Sequence, residues 1–127
     1  MKNHLHIGRN NIVGRAFERM PNVLCRTHDE VSNMEDFNFD LISISAFDPI
    51  KKTLFVKNPS CFIKMVSRFP EASKIVYFST ARVFGKILEK QYSNYVKNKL
   101  VEESVLSSLF ENLSIFYLPN RYKWNKQ

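Results

Sequence analysis

Short runs of Ile, Val, Leu, Phe and Tyr recur along the chain, with helix-like segments between them. The runs His4 to Ile7, Val23 to Arg26, Phe39 to Ala46, Lys74 to Ser79 and Leu113 to Leu118 predict five strands. Near-continuous apolar stretches of this length suit strands buried on both faces. The segments Ile12 to Met20, Pro59 to Phe69 and Glu89 to Asn112 predict helices, the first preceded by an Asn pair able to cap it. Alternation of strand and helix predicts a parallel α/β sheet with right-handed crossovers.

Between the second and third strands lie only the polar residues Thr27 to Asn38, so any crossover helix there is short. The expected architecture is a three-layer α/β sandwich around a parallel five-stranded sheet of order 2-1-3-4-5. Its switch point falls between the carboxyl ends of the first and third strands, where a ligand is expected. With 127 residues, 44% of them hydrophobic, residues 1–127 suffice for one core and one expected domain.

No apolar run approaches the roughly 20 residues needed to cross a bilayer. The start MKNHLHIG lacks the long apolar stretch of a signal peptide, so the expected location is cytoplasmic. Cys25 and Cys61 have none of the paired spacings of zinc or redox motifs and read as buried free thiols. A formal charge of +7 favours anionic partners, but Lys and Arg are scattered and no nucleic-acid motif organises them. Nucleic-acid binding stays a minor alternative. His4 and His6 alternate on a strand and read as packing or surface residues, with no metal site expected.

The segment from Leu5 to Ala16 sets a strand, a glycine turn and a helix start in that order. Gly8 permits the tight turn, Gly14 allows the helix to lie close to the strand, and the amides at the helix start attract phosphate. Gly8, Arg9, Asn10, Asn11, Ile12, Val13 and Gly14 are therefore the candidate pyrophosphate loop. An ordinary strand-to-helix turn is the alternative. The second strand ends in Arg26 where an acid would bind the ribose hydroxyls of NAD, so Arg26, with Arg9, is a candidate partner for the 2'-phosphate of NADP. Both are equally well read as solvated surface arginines.

Two further stretches make the resemblance specific. Ile75-Val76-Tyr77-Phe78-Ser79-Thr80 is followed by Val83-Phe84-Gly85, and Tyr95-Val96-Lys97-Asn98-Lys99 is followed by Leu100, Glu102 and Glu103. Together with the glycine turn they resemble the extended short-chain dehydrogenases, the family of nucleotide-sugar epimerases and dTDP-dehydrorhamnose reductases. Asn11 stands where the family pattern has its middle glycine. Smaller echoes are the strand ending in Ser45 and Ala46, Asn58 before a helix, and Pro119-Asn120 after the last strand.

The resemblance implies a Rossmann-like core binding NADP or NAD, and Arg26 in place of the acid tilts the choice slightly towards NADP. In it Thr80, Tyr95 and Lys99 are catalytic, and Ser45, Ala46, Tyr95, Lys99, Pro119 and Asn120 join the loop and Arg26 around the cofactor. Lys99 would depress the phenol pKa of Tyr95 from one helical turn away. The alternative packs Tyr95 on the core with Lys99 snorkelling to water. A second YxxxK, Tyr122 to Lys126, shows that the motif alone is weak.

The resemblance also implies a nucleotide-sugar substrate, a role in polysaccharide biosynthesis and a homodimer through the Glu89 to Asn112 helix. No separate substrate domain is expected, because the sequence given stops seven residues after Asn120. A non-catalytic dinucleotide-binding or interaction module derived from such an enzyme is the alternative function.

Overall fold

The structure, a computed structural model, describes residues 3–9, 12–45, 60–80 and 94–118. In chain order its elements are β1 (His4–Ile7), α1 (Ile12–Glu18), β2 (Val23–Arg26), α2 (His28–Ser32), β3 (Leu41–Ile44), α3 (Ser60–Val66), β4 (Ile75–Thr80), α4 (Asn94–Leu109) and β5 (Leu113–Leu118). The strands form one parallel sheet of order β2-β1-β3-β4-β5, a Rossmann-like α/β fold as the alternation predicts.

The ends of several elements move inward from their expected positions for local reasons. Helix α1 stops at Glu18 because its last turn tightens, with the Met20 amide on the Phe17 carbonyl at 3.0 Å. Strand β3 begins at Leu41 because the Phe39 amide turns back to the Phe37 carbonyl at 3.0 Å. At the end of α4, Asn112 already offers its carbonyl to the Ile75 amide at 2.9 Å and so belongs to the sheet side.

The short connection after β2 is a single-turn helix held by a capping box. Thr27 Oγ1 accepts from the Glu30 amide at 3.2 Å, and Glu30 Oε1 accepts from the Thr27 amide at 2.9 Å. Arg68, just after α3, donates to the Val31 and Ser32 carbonyls at 3.2 Å and to the Met34 carbonyl, satisfying the other end of α2.

Strand register sorts the side chains between two faces. Leu5, Ile7, Ile42, Ile44, Ile75 and Tyr77 point to one face, where Val31 of α2, Phe62 and Val66 of α3, and Leu106 and Phe110 of α4 and its end close over them. His6, Ser43 and Phe78 point to the other face, towards Phe17 of α1. This distribution follows from right-handed crossovers. The β1 to β2 step runs against the other steps across the sheet and places α1 on the opposite side from α2, α3 and α4.

Helix α4 has an unusual polarity. Glu102 and Lys99 are 2% and 3% exposed against the sheet, while Leu100, Val101 and Leu109 stand exposed. Cys25 is buried as expected, and Cys61 is half-buried on α3. Among the described residues, no helix is long and apolar enough to cross a membrane.

Candidate functional site

The turn after β1 has the backbone its two glycines were expected to supply. Gly8 adopts φ 119°, a conformation that side chains with a Cβ rarely reach. Gly14 is buried, and a Cβ on it would fall on the Gly8 carbonyl oxygen and lie 2.9 Å from the Arg9 carbonyl carbon and Cα. The helix thus rests directly on the turn. The Gly8 amide donates to the Arg26 carbonyl at 2.9 Å, which fixes the turn beside the end of β2. Ile12 is exposed and Val13 half-buried at the start of α1. Asn10 and Asn11 lie outside the described residues.

A chain of hydrogen bonds reaches the turn from beneath. Ser43 Oγ lies 2.6 Å from both His4 Nε2 and His6 Nδ1, His6 Nε2 lies 2.9 Å from Ser45 Oγ, and the Ser45 hydroxyl donates to the Gly8 carbonyl at 3.2 Å. One consistent direction satisfies all of them. Ser45 gives its proton to Gly8 and therefore accepts from His6 Nε2. His6 Nδ1 then accepts from Ser43, and Ser43 accepts from His4. This needs a neutral His6. Burial, followed by the neighbouring His4, holds the His6 pKa down at about 3, and the ring is stacked on Phe17 at 4.3 Å. Among the described residues, no three His, Cys, Asp or Glu groups converge as metal ligands.

Both signs of charge meet near the end of β2. Arg26 is half-buried, with Nη1 donating to the Cys25 carbonyl at 3.0 Å. Arg9 is paired with Glu18 at 2.5 Å and lies 3.7 Å from Glu30. Sequence reasoning named the arginines without these acids.

The third group lies where α4 crosses β4. Thr80 is the last residue of β4, and Tyr95 stands one turn before Lys99 in α4; the placement of their side chains is outside what the structure describes. Lys99 Nζ donates to the Phe78 carbonyl at 3.0 Å and sits 4.9 Å from the Tyr77 ring centroid. The Tyr77 hydroxyl donates to Glu102 at 2.5 Å. Burial pushes the Glu102 carboxyl up to about 7, against the pull of Lys99 and of the Tyr77 hydroxyl. Glu103 accepts from Ser79 at 2.8 Å and from Tyr117 at 2.7 Å, and that bond pushes the Tyr117 phenol up to about 12.

Sequence reasoning took Glu102 and Glu103 as part of a motif and missed them as hydrogen-bonding partners of the sheet, Glu102 buried and Glu103 half-buried. Their spacing of three and four from Lys99 was the available signal. Ser45 is 1% exposed under the turn; Ala46, Pro119 and Asn120 lie outside the described residues. No protein-family model, curated protein or solved structure matches the chain.

Two predictions follow from these contacts. Gly14→Ala drives a methyl into backbone atoms that have no free rotamer, so denaturant unfolding is expected to show a loss of about 1–3 kcal/mol. Ala16, exposed on the same helix, should tolerate Ala16→Ser within about 0.5 kcal/mol.

The second prediction concerns pH. His6, with a folded pKa of about 3 against 6.5, contributes stability that is present above pH 6.5 and lost as the pH falls towards 3. Glu102, with a folded pKa of about 7 against 4.5, contributes stability that is present below pH 4.5 and lost as the pH rises through 7. Between pH 4.5 and 6.5 the two slopes oppose each other. Glu102→Gln removes one of them, so its stability relative to the wild type is expected to rise with pH across that window, by at most about 1.4 kcal/mol per unit. Unfolding curves that keep a constant offset between the two proteins would contradict the assignment.

Proposed function

We propose that the chain is a dinucleotide-binding domain, an NAD(P)-dependent epimerase- or reductase-like protein of the extended short-chain dehydrogenase type that works on a nucleotide sugar in polysaccharide biosynthesis. The observation that carries the reading is the Gly8 turn with its positive φ, packed directly beneath Gly14 at the carboxyl end of β1. This is the geometry in which a backbone can approach a pyrophosphate closely, and it lies at the switch point of a 2-1-3-4-5 sheet. NADP(H) is the preferred cofactor in this reading, with Arg26 facing the 2'-phosphate. The pairing of Arg9 with Glu18 and Glu30 makes Arg9 the weaker phosphate ligand, because a phosphate would have to displace those carboxylates.

Thr80, Tyr95 and Lys99 are the catalytic group that the resemblance implies, with Tyr95 moving a proton as the cofactor moves a hydride. One observation favours the second reading, a binding module without turnover. Lys99 is 3% exposed, and its ammonium is engaged by the Phe78 carbonyl and the Tyr77 ring.

The outward face of α4 supports the homodimer. Leu100 and Val101 are exposed, and the serines at 104, 107 and 108 that share this face allow a second helix to approach closely.

Calorimetric titration is expected to show NADPH binding more tightly than NADH, with Arg26→Ala removing about tenfold of the NADPH affinity, the worth of one charge-assisted hydrogen bond. Gly8→Trp should abolish both. No binding of either cofactor at millimolar concentration would end the dinucleotide reading. Turnover of a nucleotide sugar that is lost in Tyr95→Phe would decide for the enzyme over the module. In sedimentation, the wild type is expected at the mass of two chains and Val101→Glu at the mass of one; a wild-type monomer at high concentration would remove the dimer.

A further inference from the structure

The charged residues that α4 turns inward need an explanation that stability does not provide. The attraction between charged side chains enclosed together often fails to repay the cost of taking them out of water, so their burial gives weak grounds for a stabilising role. Here Glu102 and Lys99 are both almost wholly buried, one turn apart on α4, against Tyr77 and the Phe78 carbonyl of β4. Phe78 is two residues from the carboxyl end of β4, and β4 borders β3, whose end leads through Ser45 to the Gly8 turn.

We infer that Glu102 is a positioning residue for the dinucleotide site. It balances the charge of the Lys99 ammonium, which the Phe78 carbonyl holds at the carboxyl half of β4, and takes up a proton from solvent when an anionic cofactor binds, so that cofactor affinity depends on pH. The inference rests on the dinucleotide reading above.

The groups facing Glu102 are Tyr77 from β4 and, from α4 itself, Lys99 and Glu103. Tyr77 donates its hydroxyl, and Glu103 is turned to Ser79 and Tyr117. Lys99 is the cation acting on Glu102 among the described residues. An ionised Glu102 cancels its charge. Protonating Glu102 removes one negative charge from beside Lys99, and an anionic ligand binds that state better. Linkage is reciprocal, so the ligand must raise the proton affinity of Glu102 by the same factor. Burial already sets the carboxyl near 7, which puts the exchange in the neutral range.

The test is calorimetric titration of the full chain with NADH at pH 7 in buffers of different ionisation enthalpy. NADH is the probe because the 2'-phosphate of NADPH titrates near pH 6 and would add its own protons. The expected result is uptake of a fraction of a proton per NADH, and an affinity that falls about fivefold from pH 6 to pH 8. Both should vanish in Glu102→Gln, which keeps an acceptor for the Tyr77 hydroxyl. Tyr77→Phe removes that donor and should move the uptake maximum to higher pH, which answers the question should Glu102→Gln not fold. Identical uptake and pH profiles in the wild type and Glu102→Gln, or an unmoved maximum in Tyr77→Phe, would overturn the inference and leave the dinucleotide reading standing. Failure of both NADH and NADPH to bind at pH 6 would remove the dinucleotide reading and the inference with it.

Discussion

The close approach of α1 to the turn it follows is the constraint on which the rest of this architecture depends. Gly14 lies so near the Gly8 carbonyl that a single added methyl would collide with backbone. Because the helix can descend this far, it covers the β1 side of its face, and Phe17 stacks on His6. The same carbonyl ends the hydrogen-bond chain that starts at His4 and passes through Ser43, His6 and Ser45. Local backbone conformation, packing of the α1 layer and polar satisfaction beneath the sheet are therefore one problem with one solution. Two glycines make it possible.

The two faces of the sheet solve the burial of polar groups differently. On the α1 side, neutral groups donate hydrogen bonds in one direction and burial holds His6 uncharged. On the α4 side, charge is buried outright, with Lys99 and Glu102 enclosed together and Tyr77 supplying a hydrogen bond. The first arrangement fixes the shape of a turn. The second encloses Lys99 and Glu102 against Tyr77 and Phe78 of β4, the strand that ends in Thr80. The first lies at the carboxyl ends of β1 and β3, the edge where open α/β sheets in general bind ligands.

Turning acids inward also decides what α4 can show to solvent. With Glu102 and Glu103 committed to the sheet, the outer surface is left to Leu100, Val101, Leu109, serines and Lys97. An isolated amphipathic helix would have the opposite arrangement. The polarity of this helix thus sets buried polar groups on one side against exposed apolar side chains on the other.

The sequence by itself determined the order of elements, the parallel sheet and the two special glycines. Those features follow from local preference: apolar runs of strand length, Gly8 for a positive φ, Gly14 for want of a Cβ, and a connection after β2 too short for a long helix. It also named Lys99 and the acids after it, but as a string along a helix. Only the tertiary structure decided that Glu102 faces Tyr77, that Glu103 faces Ser79 and Tyr117, and that Arg9 is matched by Glu18 and Glu30. It likewise decided that two histidines spaced like surface residues meet two serines spaced in the same way on a neighbouring strand. Partners across a sheet are set by register and by the helix laid over it. Neither is written in local propensity, and this is why the fold was legible in the chain and the electrostatics of its site were not.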